Sequence, residues 1–189
     1  MAKVKWKGGT LLSPLPVVLV TCRDPETGET DVLTVAWTGI LNSDPPRAYV
    51  SVRPERHSYG MIRKSGEFCI NLPHAHMVRT VDLCGVKSGR DTDKFKLCRL
   101  TAEPSHTVAC PSIAECPVTL ECRVFGTEEL GSHTMFMADI TAVTVDESLI
   151  DEKGRMSPEK AGLTAYVHGA YFSLGKRIGK FGYSVRKKK

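Results

Sequence analysis

The apolar residues of this chain come in short runs, each closed off by a turn signal, and a sheet of short strands is the structure able to bury such runs. LPVVLVTC (15–22) is apolar on both alternating faces, DVLTVAWTGIL (31–41) is rich in β-formers, and RAYVSVR (47–53) and EFCINL (67–72) follow. In VTLECRVF (118–125), Val118, Leu120, Cys122 and Val124 alternate with Thr119, Glu121 and Arg123, the period-2 signature of a strand with one buried face. DPETGE (24–29) and NSDPP (42–46) are short turn segments, which makes the strands they join antiparallel neighbours, and EELGSH (128–133) leads into HTMFMADITAV (133–143) as a later hairpin.

Helical signals are fewer. HSYGMIRKSG (57–66) spaces Tyr59, Met61 and Ile62 for one face and stops at Gly66, AHMVRTVDLCG (75–85) does the same before Gly85, and TDKFKLC (92–98) supplies one more turn. Six or more strands with two or three small helices predict a mainly β fold, a barrel plugged or flanked by short helices. With 189 residues, 41% of them hydrophobic, the chain suits one well-buried core, so a single domain over 1–189 is expected, ending in a basic tail at 186–189.

The net charge of +5 sits at the ends. Without Lys3, Lys5, Lys7 and Arg186, Lys187, Lys188 and Lys189, the 26 basic residues become 19 against 21 acidic ones, so the body is no nucleic-acid surface and the tail is read as solvated. The seven cysteines (22, 69, 84, 98, 110, 116, 122) form no C-x-x-C pair, which argues against a zinc site, and an odd count argues against a disulfide framework. Cys22, Cys69 and Cys122 lie inside apolar runs and read as core residues. With no apolar leader and no run of about 18 apolar residues, a cytoplasmic protein without membrane contact is expected.

Cationic and hydroxyl groups concentrate where the third strand ends, in SVRPERHSYG (51–60). Ser51 and Arg53 share a strand face, and His57 and Ser58 open a helix whose first N–H groups have no intrahelical partner, an arrangement suited to a phosphate monoester. Capping by Ser58 or His57, with the arginines in water, is on composition alone the plainer explanation of the same residues. The preceding LTVAWTGI adds Thr34, Trp37 and Thr38 and ends at Gly39, where a flat ring could lie against exposed backbone. A phosphate cradle beside an aromatic platform suggests a phosphorylated aromatic cofactor. Lys94 beside Phe95 and His133 at a strand start could close such a site, or be a solvated cation and a turn histidine. No Walker loop, no G-x-G-x-x-G and no G-x-S-x-G is present, and His74 and His76 at i, i+2 do not converge on a helix face, so no metal site is expected.

The stretch from LPVVLVTC to EFCINLP (15–73), then SGRDTDKF (88–95) and LECRVFGTEELGSHTMFMADI (120–140), resembles the flavin reductase-like family of FMN-binding split barrels, and AYVHGAYFSLGKRIGKFGYSVRK (165–187) is similar to its flavoredoxin-type members. The resemblance implies a split β-barrel that binds FMN. It places Val35, Ala36, Trp37 and Thr38 along the isoalloxazine edge, and Ser51, Val52, Arg53 and Pro54 at the ribityl chain and phosphate. His57 and Ser58 would complete the phosphate site, Lys94 would reach the cofactor, and Tyr171 with Phe172 would cover the ring. It further implies a homodimer, hydride transfer at flavin N5 from NAD(P)H to a flavin or other acceptor, or else a carrier reduced by a redox protein partner. Lys94 first and His133 second are the candidates for stabilising reduced flavin.

Overall fold

A computed structural model describes residues 1–185; the basic run at 186–189, and its reading as a solvated tail, lie outside the described residues. In chain order the strands begin with β1 (Leu15–Pro16), β2 (Val18–Arg23), β3 (Thr30–Val35), β4 (Thr38–Ser43) and β5 (Pro46–Val52). Helix α1 (His57–Ser65), strand β6 (Glu67–Leu72) and helices α2 (Val78–Val86) and α3 (Lys94–Cys98) follow. The chain continues with β7 (Ala102–Glu103), β8 (Ser112–Ile113), β9 (Val118–Glu129), β10 (Thr134–Val145), β11 (Thr164–Val167) and β12 (Ala170–Ser173).

Seven strands form one antiparallel sheet in the order β3, β2, β6, β9, β10, β5, β4. Its two edges are β3 and β4, which are consecutive in the chain and joined only by Ala36 and Trp37. The sheet must therefore curl until its edges come together at that joint, and the amide of Ser51 donates to the carbonyl of Trp37 at 2.8 Å, tying the joint to β5. Two register shifts in the β9–β10 pair, one leaving Phe125 of β9 unpaired and one leaving Thr141 of β10 unpaired, bend these strands as bulges do. The stretch 31–41, expected as one strand, is thus two strands at opposite edges. β-propensity runs unbroken through it, and only the closure of the sheet breaks it at Trp37.

Inside the barrel pack Val18, Val20 and Cys22 of β2, Leu33 and Val35 of β3, Val50 and Val52 of β5, and the fully buried Phe68 and Phe136, with Met61 and Ile62 of α1 as the plug. Val17, Leu19 and Val32 point the other way, into a second cluster with Met77, Val81 and Cys84 of the α2 region. This second layer is why 15–22 is apolar on both faces. Cys22, Cys69 and Cys122 are all buried, as their apolar settings predict.

Helix α1 stops at Gly66, which is left-handed with φ 67°. Helix α2, expected to stop before Gly85, runs through it to Val86. Gly85 serves packing: a Cβ there would lie 3.3 Å from Cβ of Thr34, whose hydroxyl donates to the carbonyl of Val81 at 2.5 Å. The β11–β12 hairpin, which pairs with β1, and the small β7–β8 hairpin have no counterpart in the sequence reading.

Candidate functional site

A pocket of about 260 Å³ opens where the barrel edges meet. Its wall comes from Val35, Ala36 and Trp37 at the joint, from Ser51, Val52 and Arg53 at the end of β5, and from Arg56 just before α1. His133, at the start of β10, and Tyr166 and Tyr171 of the last hairpin close it. The position follows from the topology: β3 ends here, β5 ends here, and at the joint between β3 and β4 Trp37 is 38% exposed. The rings of Trp37 and His133 are parallel to within 1°, with centroids 6.2 Å apart, and Tyr166 is tilted 55° to Trp37 at 6.5 Å. Flat apolar walls of this kind suit a planar aromatic ligand.

The charges at the pocket are specific. Burial, and then the Arg53 guanidinium, hold His133 below the usual imidazole value against a weaker opposing pull from Glu55, so the ring is neutral at neutral pH. Tyr171 donates to Oδ1 of Asp82 at 3.2 Å, and its phenol is pushed up to about 12 by burial and the Asp82 carboxylate, which keeps it protonated. Arg53 is half-exposed, 3.8 Å from Glu55. Nη1 of Arg56 donates to the carbonyl of Gly85 at 2.9 Å, which fixes the guanidinium at the pocket edge.

A second cavity of about 160 Å³ shares Leu33 and Arg56 with the first and is lined by Glu55, His57, Ser58, Lys87, Ser88, Gly89, Arg90 and Lys94. Arg56 therefore stands at the junction of an aromatic pocket and a cationic cleft. Lys94 is 3% exposed, and its Nζ lies 2.9 Å from Oδ1 of Asp31, itself 3% exposed. Oγ of Ser58 donates to the other oxygen of Asp31 at 2.5 Å, and Nε2 of His57 lies 3.0 Å from Oε1 of Glu29.

The structure brings Val35, Ala36, Trp37, Ser51, Val52, Arg53, His133 and Tyr171 together at the pocket. It places His57, Ser58 and Lys94 at the adjoining cleft, with Ser58 and Lys94 both engaged by Asp31. Lys94, ranked first as the cation near the ring, is therefore the inner half of a buried ion pair, and the arginines are the cations that line the pocket. Thr38 lines neither cavity and donates to the carbonyl of Tyr49 at 2.6 Å, Pro54 lines neither, and Phe172 is exposed outside both. Gly39 packs against the Tyr49 ring, which a Cβ there would approach to 3.1 Å. Val17, Leu33 and Tyr166 line the pocket without having been singled out in the sequence, and Arg56, read there as an arginine in water, lines it too. For Arg56 the one available signal is its place in a strand-to-helix loop, a place Arg53 shares.

A family model described as the flavin reductase like domain matches residues 11–175. Flavoredoxin of Desulfovibrio vulgaris (Miyazaki F) is 30% identical and superposes with a TM-score of 0.90, over 98% of this chain and 100% of that one. An FMN-binding protein from Thermus thermophilus is 25% identical with a TM-score of 0.79, over 95% of this chain and 99% of that one. An uncharacterized protein of Pyrococcus abyssi is 33% identical over 145 residues, 77% of this chain and 82% of the relative. The architecture, mainly β with short helices, is that of the split barrels.

Proposed function

The chain belongs to the flavin reductase-like family, and from that premise we propose that it is an FMN-binding flavoprotein oxidoreductase that moves electrons from NAD(P)H through the flavin to a second flavin or another acceptor. The observation that carries this reading is the junction at Arg56, where a pocket with parallel aromatic walls meets a cationic cleft. The donor set fits the cofactor. Ser51, Arg53, Arg56, Ser88 and Arg90 are hydroxyl and guanidinium groups of the kind that bind a phosphate monoester, and no side chain caps the N-terminus of α1 beside them.

In this reading Val35, Ala36 and Trp37 hold the ring edge, while Ser51, Val52 and Arg53 hold the ribityl chain and phosphate. FMN, when bound, supplies a ring that takes a hydride at N5 and passes electrons on. The chain's own contribution is orientation and electrostatics. Arg53 and Arg56 bring fixed positive charge to the pocket, neutral His133 and protonated Tyr171 bring hydrogen-bonding groups without added charge, and Trp37 and Tyr166 exclude water from one side. Lys94 acts through Asp31, holding β3 against α3 under the cleft. A homodimer in the cytoplasm belongs to the same reading. Edge strand β4, which exposes Ile40 and Leu41 next to Trp37, supports the dimer, and seven cysteines left as free thiols support a reducing compartment.

The likeness to flavoredoxin over nearly the whole chain favours a second reading, an electron carrier reduced by a redox protein partner with little activity toward NAD(P)H. Anaerobic bleaching separates the two. FMN-loaded protein mixed with NADH or NADPH is expected to lose its flavin absorbance on the timescale of turnover. Bleaching only by a reduced protein donor selects the carrier, and failure to retain or bind FMN refutes both.

A further inference from the structure

Behind the pocket, the Sγ atoms of Cys84 on α2 and Cys98 on α3 lie 3.9 Å apart. We propose that these two residues form a modification site: a dithiol that a low-molecular-weight disulfide converts reversibly into a Cys84–Cys98 bond, drawing α3 toward α2 behind the pocket wall. The geometry is close to what the bond needs. A disulfide requires sulfurs about 2.05 Å apart, so they must close by about 1.9 Å, which a change of side-chain torsion and a small shift of one helix supply. The surroundings suit the product too. Both residues pack in the apolar cluster with Val81, Phe95 and Leu100, where an uncharged disulfide is as well accommodated as two thiols.

The two sulfurs have different roles. Cys98 is partly exposed and Cys84 fully buried, and burial together with the nearby Cys98 pushes the Cys84 thiol up to about 12. Cys98 is therefore the attacking sulfur. Its thiolate, formed by loss of a proton to solvent, breaks the S–S bond of RSSR and leaves Cys98–S–S–R, while the released RS⁻ takes up a proton. Cys84 then gives up its proton and attacks the Cys98 sulfur, expelling a second RS⁻ that is protonated in turn. Two cysteine thiols are oxidised and one RSSR is reduced to two RSH, and a dithiol reductant reverses both steps.

Helix α2 is held tightly. It accepts hydrogen bonds from Thr34 at Val81, from Tyr171 at Asp82 and from Arg56 at Gly85, and Gly85 packs close against β3. Helix α3 has five residues and carries Lys94, so it is the piece that moves, and Lys94 carries the motion to Asp31 and the cleft. The bond itself does not depend on the flavin reading, whereas its effect on FMN does.

The test treats the native full-length protein with excess hydroxyethyl disulfide, counts free thiols and maps linked peptides. Seven thiols are expected to become five, with Cys84 joined to Cys98 and all seven restored by dithiothreitol. Cys98→Ser is expected to abolish this loss, and Cys84→Ala to stop at the Cys98 mixed disulfide, so that its six thiols become five with no linked peptide. FMN affinity, read by quenching of flavin fluorescence, is expected to fall on oxidation by about fivefold or more, the lower end of ordinary coupling between sites, and to be insensitive to the reagent in Cys98→Ser. Hydrogen exchange over residues 92–100 in the two redox states reads the movement of α3 without flavin. The proposal is overturned if all thiols stay free, or if the bond formed is Cys69–Cys110, whose sulfurs lie 3.6 Å apart, or one to Cys116. A Cys84–Cys98 bond that changes neither exchange nor affinity refutes the coupling. Failure of the reduced protein to bind FMN refutes the function proposed above, and the thiol count and the exchange measurement then decide whether this dithiol site stands.

Discussion

Lys94→Met decides whether this lysine serves the ligand or the fold. The ammonium and the Asp31 carboxylate are 2.9 Å apart and each residue is 3% exposed, so removing the lysine strands a buried carboxylate with Ser58 as its remaining side-chain donor. Breaking one side of a buried pair costs about 3–5 kcal/mol, and at about 2–4 °C per kcal/mol for a chain of this size the melting temperature should fall by about 6–20 °C. Methionine nearly matches the volume of lysine, which keeps any cavity contribution small. Asp31→Asn in the same chain removes the stranded charge while Ser58 can still donate to the amide oxygen, so the double variant is expected to be more stable than Lys94→Met alone. Urea denaturation of the wild type, both single variants and the double variant, with FMN affinity measured on each while folded, completes the cycle. A loss below about 1 kcal/mol for Lys94→Met, the value of an exposed pair, together with a tenfold fall in FMN affinity, would refute the structural assignment.

Arg53→Ala should weaken FMN binding by about 1.5 kcal/mol, roughly tenfold, at the low end for a charge-assisted contact because Arg53 is half-exposed; unchanged affinity in a fluorescence titration removes it from the site. Glu121 is buried against the loop at 106–107, where burial alone would raise its carboxyl but donation from the amides of His106 and Thr107 and from the Thr107 hydroxyl leaves it below the usual value of 4.5. A depressed folded value means the contribution is present above the unfolded value near 4.5 and is lost as pH falls through the folded one, so Glu121→Gln should cost about 1–3 kcal/mol at neutral pH and flatten the acid side of the stability profile. Equal acid slopes in wild type and variant would count against this account.

Local signals carried much of the fold. Two apolar faces on 15–22 foretold a strand covered on both sides, and β2 is packed between the barrel interior and the α2 layer. The turn at 24–29, the stop of α1 at Gly66 and the end of β5 at Val52 follow from propensity and turn chemistry, which act over a few residues. So does the clustering of Ser51, Arg53 and Trp37, because β5 ends next to the strand that precedes it.

The sequence by itself determined a sheet of short antiparallel strands, the helix positions and a cationic strand end beside an aromatic one, because each is written in residues adjacent in the chain. The tertiary structure decided the rest. The break at Ala36 and Trp37 exists because the sheet curls until its edges meet. The pairing of Lys94 with Asp31, the turning of Arg56 onto Gly85 and the approach of Cys84 to Cys98 exist because α2 and α3 are laid across β3. Whether a lysine faces a ligand or a buried carboxylate depends on which strand lies opposite, and strand order belongs to the closed sheet and to no local stretch of sequence.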